Sequence, residues 1–209
     1  MNRINGLYAI TPELSDSNKL LQLVDAAIRG GIDVLQYRNK SGSPELRLQQ
    51  ALTLLNRCRN AGIPLIINDD MELARQIDAD GVHLGNEDGE ILAARRLLGA
   101  EKIIGASCYN QLQLARQALA DGADYVAFGS VFVSATKPAA KRASLELLCQ
   151  AKSVLSAPVV AIGGIDQNNI ATVAATGIDA AAVITALFNA DSVESAASSL
   201  RNHFLQNRN

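Results

Sequence analysis

Tryptophan is missing from this 209-residue chain, which has only four phenylalanines and four tyrosines. With few rings, no basic tract and a net charge of −2, it offers nucleic acid neither a stacking platform nor a cationic groove. The three cysteines, Cys58, Cys108 and Cys149, are odd in number and widely spaced. They make neither a disulfide framework nor a zinc knuckle, and a reducing cytoplasm suits them best. No apolar run reaches the roughly 18 residues that a membrane span needs. Met1 to Asn5 leads into the first apolar segment too soon to hold a signal peptide. No Gly-x-Gly-x-x-Gly follows the first strand-like run, which weakens a dinucleotide-binding reading. No Pro/Gly/Ser-rich linker divides the chain.

What is present is a repeat: a short β-type run, then a longer amphipathic stretch. The runs are Leu7–Thr11, Ile32–Arg38, Pro64–Asn68, Gly81–Leu84, Lys102–Ala106, Tyr125–Gly129, Pro158–Ile162 and Ala180–Ile184. Helices are expected between them, among them one opened by Ser43-Pro44-Glu45 as N-cap and first turn, and a last one over Val193–Phe204. Strands alternating with helices imply parallel pairing through right-handed crossovers. Eight such pairs in this length predict an α/β fold, a single-domain (β/α)8 TIM barrel over residues 1–209. Ligands of such barrels sit at the carboxyl ends of the strands, so the residues just past each strand are the candidates.

The second run, Ile32-Asp33-Val34-Leu35, changes character at Gln36-Tyr37-Arg38-Asn39-Lys40. Side chains alternate along a strand, so Gln36, Arg38 and Lys40 would share a face opposite Leu35 and Tyr37. Two cations and an amide there suggest an anion site, against the plainer reading of solvated charges past a strand end. Asn68, Asp69 and Asp70 follow the third run, and His83, Glu87 and Asp88 the fourth. Ser107 follows the fifth; Ser134, Thr136 and Lys137 lie in the long loop Ser130–Arg142 after the sixth. Gly163-Gly164 and Ile184-Thr185 end the seventh and eighth.

Asp69 and Asp88 follow consecutive strands and so can approach each other. Carboxylates facing Arg38, Lys40 and Lys137 make sense if a polyanion and a hard divalent cation lie between them, since Mg²⁺ often takes one or two carboxylates plus substrate phosphates. Asp70 and Glu87 read as helix-start acids. Gly163-Gly164 would let backbone N–H groups approach a phosphate, or form an ordinary tight turn. His83 has no visible partner and reads as a satisfied structural group, Ser107 as a hydrogen-bond donor, and Cys108 as inert.

Taken in order, these residues resemble the thiamine-phosphate synthase family. The resemblance is carried by Leu7-Tyr8-Ala9-Ile10-Thr11, Gln36-x-Arg38-x-Lys40, Ile67-Asn68-Asp69, and Asp80-Gly81-Val82-His83-Leu84-Gly85 with Glu87-Asp88. It continues through Ile104-Gly105-Ala106-Ser107, Gly122-Ala123-Asp124-Tyr125 with Gly129, Ser134-Ala135-Thr136-Lys137, Ala161-Ile162-Gly163-Gly164-Ile165 and Val183-Ile184-Thr185. It implies joining a hydroxymethylpyrimidine diphosphate to a thiazole ethyl phosphate, with release of diphosphate. It implies that Gln36, Arg38, Lys40, Asn68, Ser107 and Lys137 hold the pyrimidine diphosphate, and that Asp69 and Asp88 bind Mg²⁺. It also implies that Ser134, Thr136, Gly164, Ile184 and Thr185 hold the thiazole phosphate. Arg38, Lys40 and Lys137 are then the catalytic cations that stabilise charge on the leaving diphosphate. The partners implied are these two small phosphorylated molecules, with neither nucleic acid nor membrane; a homo-oligomer stays open. Val133, Asn39 and Tyr109 stand where the family commonly has proline, an acid and histidine, whereas Ser134 and Thr185 keep hydroxyls. Competing readings are a thiazole phosphate tautomerase, a non-catalytic thiazole-phosphate-binding paralogue, and a sugar-phosphate isomerase or epimerase barrel. The first two leave the charged set unexplained, and the last needs an acid–base pair that the sequence does not offer.

Overall fold

A computed structural model describes residues 4–85, 90–133 and 142–208. The strands are β1 (Gly6–Ile10), β2 (Val34–Tyr37), β3 (Leu65–Asn68), β4 (Gly81–Leu84), β5 (Ile103–Tyr109), β6 (Tyr125–Gly129), β7 (Val159–Ile162) and β8 (Ala180–Val183). The helices between them are α1 (Ser17–Arg29), α2 (Pro44–Ala61), α3 (Met71–Gln76), α4 (Glu90–Leu98), α5 (Leu112–Ala120), α6 (Leu145–Val154) and α7 (Ile170–Ala174). A short α8 (Thr185–Phe188) and a longer α9 (Val193–Gln206) follow β8. All strands pair in parallel with their sequence neighbours, and β8 returns to β1, closing the expected (β/α)8 barrel.

The local reasons are ordinary ones. Ser43 caps α2 through a bond from the Leu46 N–H, and Gly62 ends that helix at φ 70°, a conformation that glycine adopts without penalty. Two apolar clusters result. Outward-facing strand residues such as Leu7, Leu35, Ile67 and Val126 pack under the helices. Inward-facing Tyr8, Val34, Ile66, Tyr125 and Val160 fill the barrel. No helix among the described residues is long and apolar enough to cross a membrane.

Four aspartates tie the amino-terminal face. Asp33, Asp80, Asp124 and Asp179 each stand one residue before an even-numbered strand. They accept the backbone N–H of Leu7, Leu65, Ile104 and Val159 at 2.9, 3.0, 2.7 and 2.8 Å. Basic partners reinforce this fastening: Arg201 on Asp33, Arg95 on Asp124, and Lys152 with Arg208 on Asp179.

Most strand limits differ from the sequence expectation by a residue or two; the differences at β2 and β5 and one added helix bear on the site. β2 stops at Tyr37, because Thr11 takes over the backbone of Arg38: its hydroxyl accepts from the Arg38 N–H at 2.9 Å and donates to the Arg38 carbonyl at 3.3 Å. Arg38 and Lys40 therefore lie beyond the strand rather than on it. β5 runs on to Tyr109 through an irregularity between Ser107 and Tyr109, where Tyr109 takes φ 52°. α8 was not expected, since four residues show no helical periodicity.

Candidate active site

The carboxyl-end rim is built from β2 outward. Gln36 points into the barrel and is buried, whereas Tyr37 points out and donates to Gln50 Oε1 at 2.8 Å, as the alternation required. Asn39 Nδ2 donates to the same oxygen at 3.2 Å, and its Oδ1 accepts from the Gly42 N–H at 2.9 Å. Asn39 thus shapes the β2–α2 turn, a role the sequence left open. Arg38 turns to Glu13 in the β1–α1 loop, and Ser41 also donates to Glu13, at 3.1 Å. Burial opposes ionisation of Glu13, but Ser41 and Arg38 outweigh it and hold the carboxyl below its usual value.

Lys40 reaches across to β3 and pairs with Asp69, Nζ to Oδ2 2.7 Å. Asp69 stands at φ 62°, a left-handed conformation rare for a residue with a side chain, and its N–H donates to the His83 carbonyl at 2.8 Å. Asp70, beside it, caps α3 through the Leu73 N–H at 2.9 Å and pairs with Arg47, consistent with a helix-start acid. Asn39, Lys40, Arg47, Asn68, Asp69 and Asp70 line an open depression of about 440 Å³. Arg47 is a cation here that sequence reasoning passed over. It sits one turn into α2, where a lone arginine looks solvated.

Inside the barrel runs a buried hydrogen-bonded chain. Gln36 Nε2 lies 2.8 Å from the Tyr8 hydroxyl, which lies 2.8 Å from that of Tyr125. The Tyr125 hydroxyl lies 2.9 Å from His83 Nδ1, and His83 Nε2 lies 2.9 Å from Ser107 Oγ. His83, read as a structural group without a visible partner, therefore has two. Burial lowers its pKa to about 4, against an opposing pull from the Asp69 charge, so the imidazole is neutral at physiological pH. Burial likewise raises the Tyr8 and Tyr125 phenols above their usual range. Sequence reasoning missed both tyrosines. Their signal was alternation, which places Tyr8 inside between Leu7 and Ala9 outside, and Gly105. A Cβ on Gly105 would fall 2.1 Å from the Tyr125 ring, so the glycine makes room for that ring.

On the β7 side of the same rim, Gly163 and Gly164 take φ 105° and 64°. A Cβ on Gly164 would meet the Val133 carbonyl at 2.5 Å and the Phe132 Cβ at 2.9 Å, so the pair has a packing reason of its own beneath the β6 loop. Asn169 Nδ2 donates to the Gly164 carbonyl at 2.9 Å. Ile184 precedes α8 and Thr185 opens it. Asp88, Glu87, Ser134, Thr136 and Lys137 lie outside the described residues.

For a divalent cation the donor set fits in part. Asp69 offers a half-exposed carboxylate at the rim, of the hard oxygen type that Mg²⁺ prefers. Among the described residues no group of three or more His, Cys, Asp or Glu could hold a metal. One or two carboxylates completed by substrate phosphates would leave that pattern.

The fold and rim define a class: a (β/α)8 barrel enzyme of small molecules, whose carboxyl-end rim gathers cations and a carboxylate and whose interior holds a buried hydrogen-bonded chain. The family described as thiamine monophosphate synthase matches residues 7–187, and the chain belongs to that family. It is 54% identical over 194 residues to a thiamine-phosphate synthase of Methylobacillus flagellatus, covering 93% of this chain and 92% of that one. It is 53% identical over 202 residues to one of Chromobacterium violaceum, covering 97% of each. The structure is similar to that of a thiamine phosphate pyrophosphorylase from Pyrococcus furiosus: TM-score 0.85, 34% identity, 98% of this chain and 97% of that one.

Proposed function

We propose that this enzyme joins 4-amino-2-methyl-5-(diphosphooxymethyl)pyrimidine to 4-methyl-5-(2-phosphooxyethyl)thiazole, giving thiamine phosphate and diphosphate. The observation that carries the reading is the meeting of Lys40 and Asp69 at 2.7 Å on the carboxyl-end rim, in a chain matched by its family over residues 7–187. A lysine and a carboxylate that both stay half-exposed contribute only about 0–1 kcal/mol as a pair, so their juxtaposition serves binding better than stability.

In this reading Gln36, Arg38, Lys40, Asn68, Ser107 and Lys137 bind the pyrimidine diphosphate. Ser134, Thr136, Gly164, Ile184 and Thr185 bind the thiazole phosphate. The loops after the last two strands, with a short extra helix such as α8, are where barrels of this kind often take phosphate. Asp69 and Asp88 would hold Mg²⁺, which supplies positive charge to the diphosphate oxygens. The bond between the pyrimidine methylene carbon and the diphosphate oxygen breaks, and the oxygen keeps the electron pair. Arg38, Lys40 and Lys137 stabilise that developing charge. The electron-rich aminopyrimidine stabilises the cationic methylene, and the thiazole nitrogen forms the new bond. No protein nucleophile is required. Arg38 has five N–H donors, so its contact with Glu13 leaves others for a phosphoryl oxygen.

We place the reaction in the cytoplasm, on a single barrel domain spanning residues 1–209; the three unpaired cysteines support a reducing compartment. The test is a coupling assay on metal-stripped enzyme with both substrates. Activity should vanish in EDTA and return with excess Mg²⁺; full activity in metal-free enzyme would contradict the metal role.

A further inference from the structure

The chain of hydrogen bonds from Gln36 to Ser107 crosses the barrel interior from β2 through β1, β6 and β4 to β5. Its links measure 2.8, 2.8, 2.9 and 2.9 Å. Its three inner members, Tyr8, Tyr125 and His83, are buried, and among the described residues the side-chain hydrogen bonds of each phenol and of the imidazole are links of this chain. Each tyrosine brings one hydroxyl proton, and a neutral imidazole brings one N–H. Four gaps must each hold one proton, so the protons can be arranged in only two self-consistent directions. In the first, the Gln36 amide N–H donates to Tyr8, Tyr8 to Tyr125, Tyr125 to His83 Nδ1, and His83 Nε2–H to Ser107 Oγ. The Ser107 proton is then free to point into the site. In the second, every donor becomes an acceptor: His83 carries its proton on Nδ1, Ser107 donates inward to Nε2, and the Gln36 oxygen is used on Tyr8. A mixed arrangement puts two protons, or none, into one dry gap, which a buried chain does not tolerate.

We infer that Tyr8, Tyr125 and His83 are positioning residues that couple Gln36 to Ser107, so that the hydrogen-bonding polarity of one end fixes that of the other. The Gln36 amide, with Nε2 on Tyr8, is set for the first direction. That direction presents a hydroxyl proton at Ser107 and leaves the Gln36 oxygen as an acceptor. It suits a substrate that carries an anionic oxygen for Ser107 and an exocyclic amine for Gln36. A pyrimidine with a carbonyl in place of that amine needs the amide reversed, and reversal withdraws the Ser107 proton from the anion. Discrimination between the two is thereby set by residues that touch neither. This inference rests on the proposed assignment of Gln36 and Ser107 to the pyrimidine diphosphate.

The test reads the His83 tautomer by nitrogen-15 NMR at pH 8 in the substrate-free enzyme; only one other histidine, His203, is present. The wild type should show His83 protonated on Nε2. Gln36→Glu places an acceptor-only group on Tyr8 and should switch His83 to Nδ1–H. The double variant Gln36→Glu, Tyr125→Phe should not show that switch. Nδ1–H in the wild type, an unchanged tautomer in folded Gln36→Glu, or the same switch with Tyr125 removed would overturn the coupling. A second arm needs no charged variant. Tyr125→Phe should lower the preference for the 4-amino over the 4-oxo pyrimidine diphosphate by about tenfold, the factor carried by one well-made hydrogen bond. Affinity for inorganic diphosphate should stay within about twofold, well below that factor. An unchanged preference would overturn the inference. A tautomer switch in an enzyme that binds neither pyrimidine would support the coupling and refute the proposed substrate.

Discussion

Asp69 holds a conformation that few aspartates adopt, and it faces a lysine in doing so. Strain of this kind is retained where surrounding structure demands it, and it clusters at functional sites. Asp69→Asn keeps the shape and removes the charge. It should shift the Mg²⁺ dependence to higher concentration and lower turnover by about 10²-fold, the order seen when one electrostatic group is lost from such sites. Mg²⁺ titrations of initial rate will show this; a wild-type titration curve would make Asp69 a structural residue. The cysteines allow a separate check. Cys58 and Cys108 are buried, and burial raises both thiols to about 12, with the Asp80 carboxylate adding to it at Cys58. Cys149 is exposed. A thiol reagent at mildly alkaline pH should label one cysteine in the native protein and all three after denaturation. Rapid native labelling of Cys108 would contradict the packing of β5.

Among the elements, β4, β5 and β6 carry most of the buried chemistry, and their packing depends on Gly105. Gly105→Ala would bring a methyl group 2.1 Å from the Tyr125 ring, which must then move off His83. Overpacking of this kind costs about 1–3 kcal/mol. Thermal unfolding should register that loss, together with weaker pyrimidine-diphosphate binding; unchanged values of both would show that the ring has slack. Much at this scale was legible in sequence. Gly81–Leu84, Glu90–Leu98, Leu112–Ala120 and Tyr125–Gly129 fall where β-branched runs and helical periodicity place them. The misses share a cause. Thr11 ends β2 from 27 residues away, Asn39 is held to Gln50 on the next helix, and a single-turn α8 carries no period. The rim candidates followed from one rule, that barrel strands end at the site. The Tyr8–Tyr125–His83 chain did not, because its members lie 42 and 117 residues apart and only closure of the barrel joins them.

At the scale of the whole molecule the two ends of the barrel are specialised differently. The amino-terminal face is fastened by four aspartates in one repeated position, visible in the sequence as an aspartate after an apolar residue in Ile32-Asp33, Ala79-Asp80, Ala123-Asp124 and Ile178-Asp179. Asp179 is the most deeply set, with 7% of its side chain exposed and both Lys152 and Arg208 on it. Asp179→Ala leaves Lys152 and Arg208 to solvent and strands the buried Val159 N–H; a buried donor left unsatisfied in this way costs about 1–3 kcal/mol. Chemical denaturation should show that loss, with the turnover of the folded fraction unchanged, because the site lies at the far end. A large drop in turnover with stability intact would reverse the assignment of the two faces. The carboxyl-terminal face instead leaves Lys40 and Asp69 half-exposed around an open depression, a poor use of charge unless a ligand completes it.

That contrast leads to the claim of a transferase that needs both phosphorylated partners before bond formation is complete. Phosphorus-31 NMR of the purified enzyme with Mg²⁺ and both substrates tests it most directly. Diphosphate and thiamine phosphate should appear together in equal amounts, and neither should appear when the thiazole phosphate is omitted. Diphosphate release without thiazole phosphate at a comparable rate, or no thiamine phosphate from the pair, would contradict it.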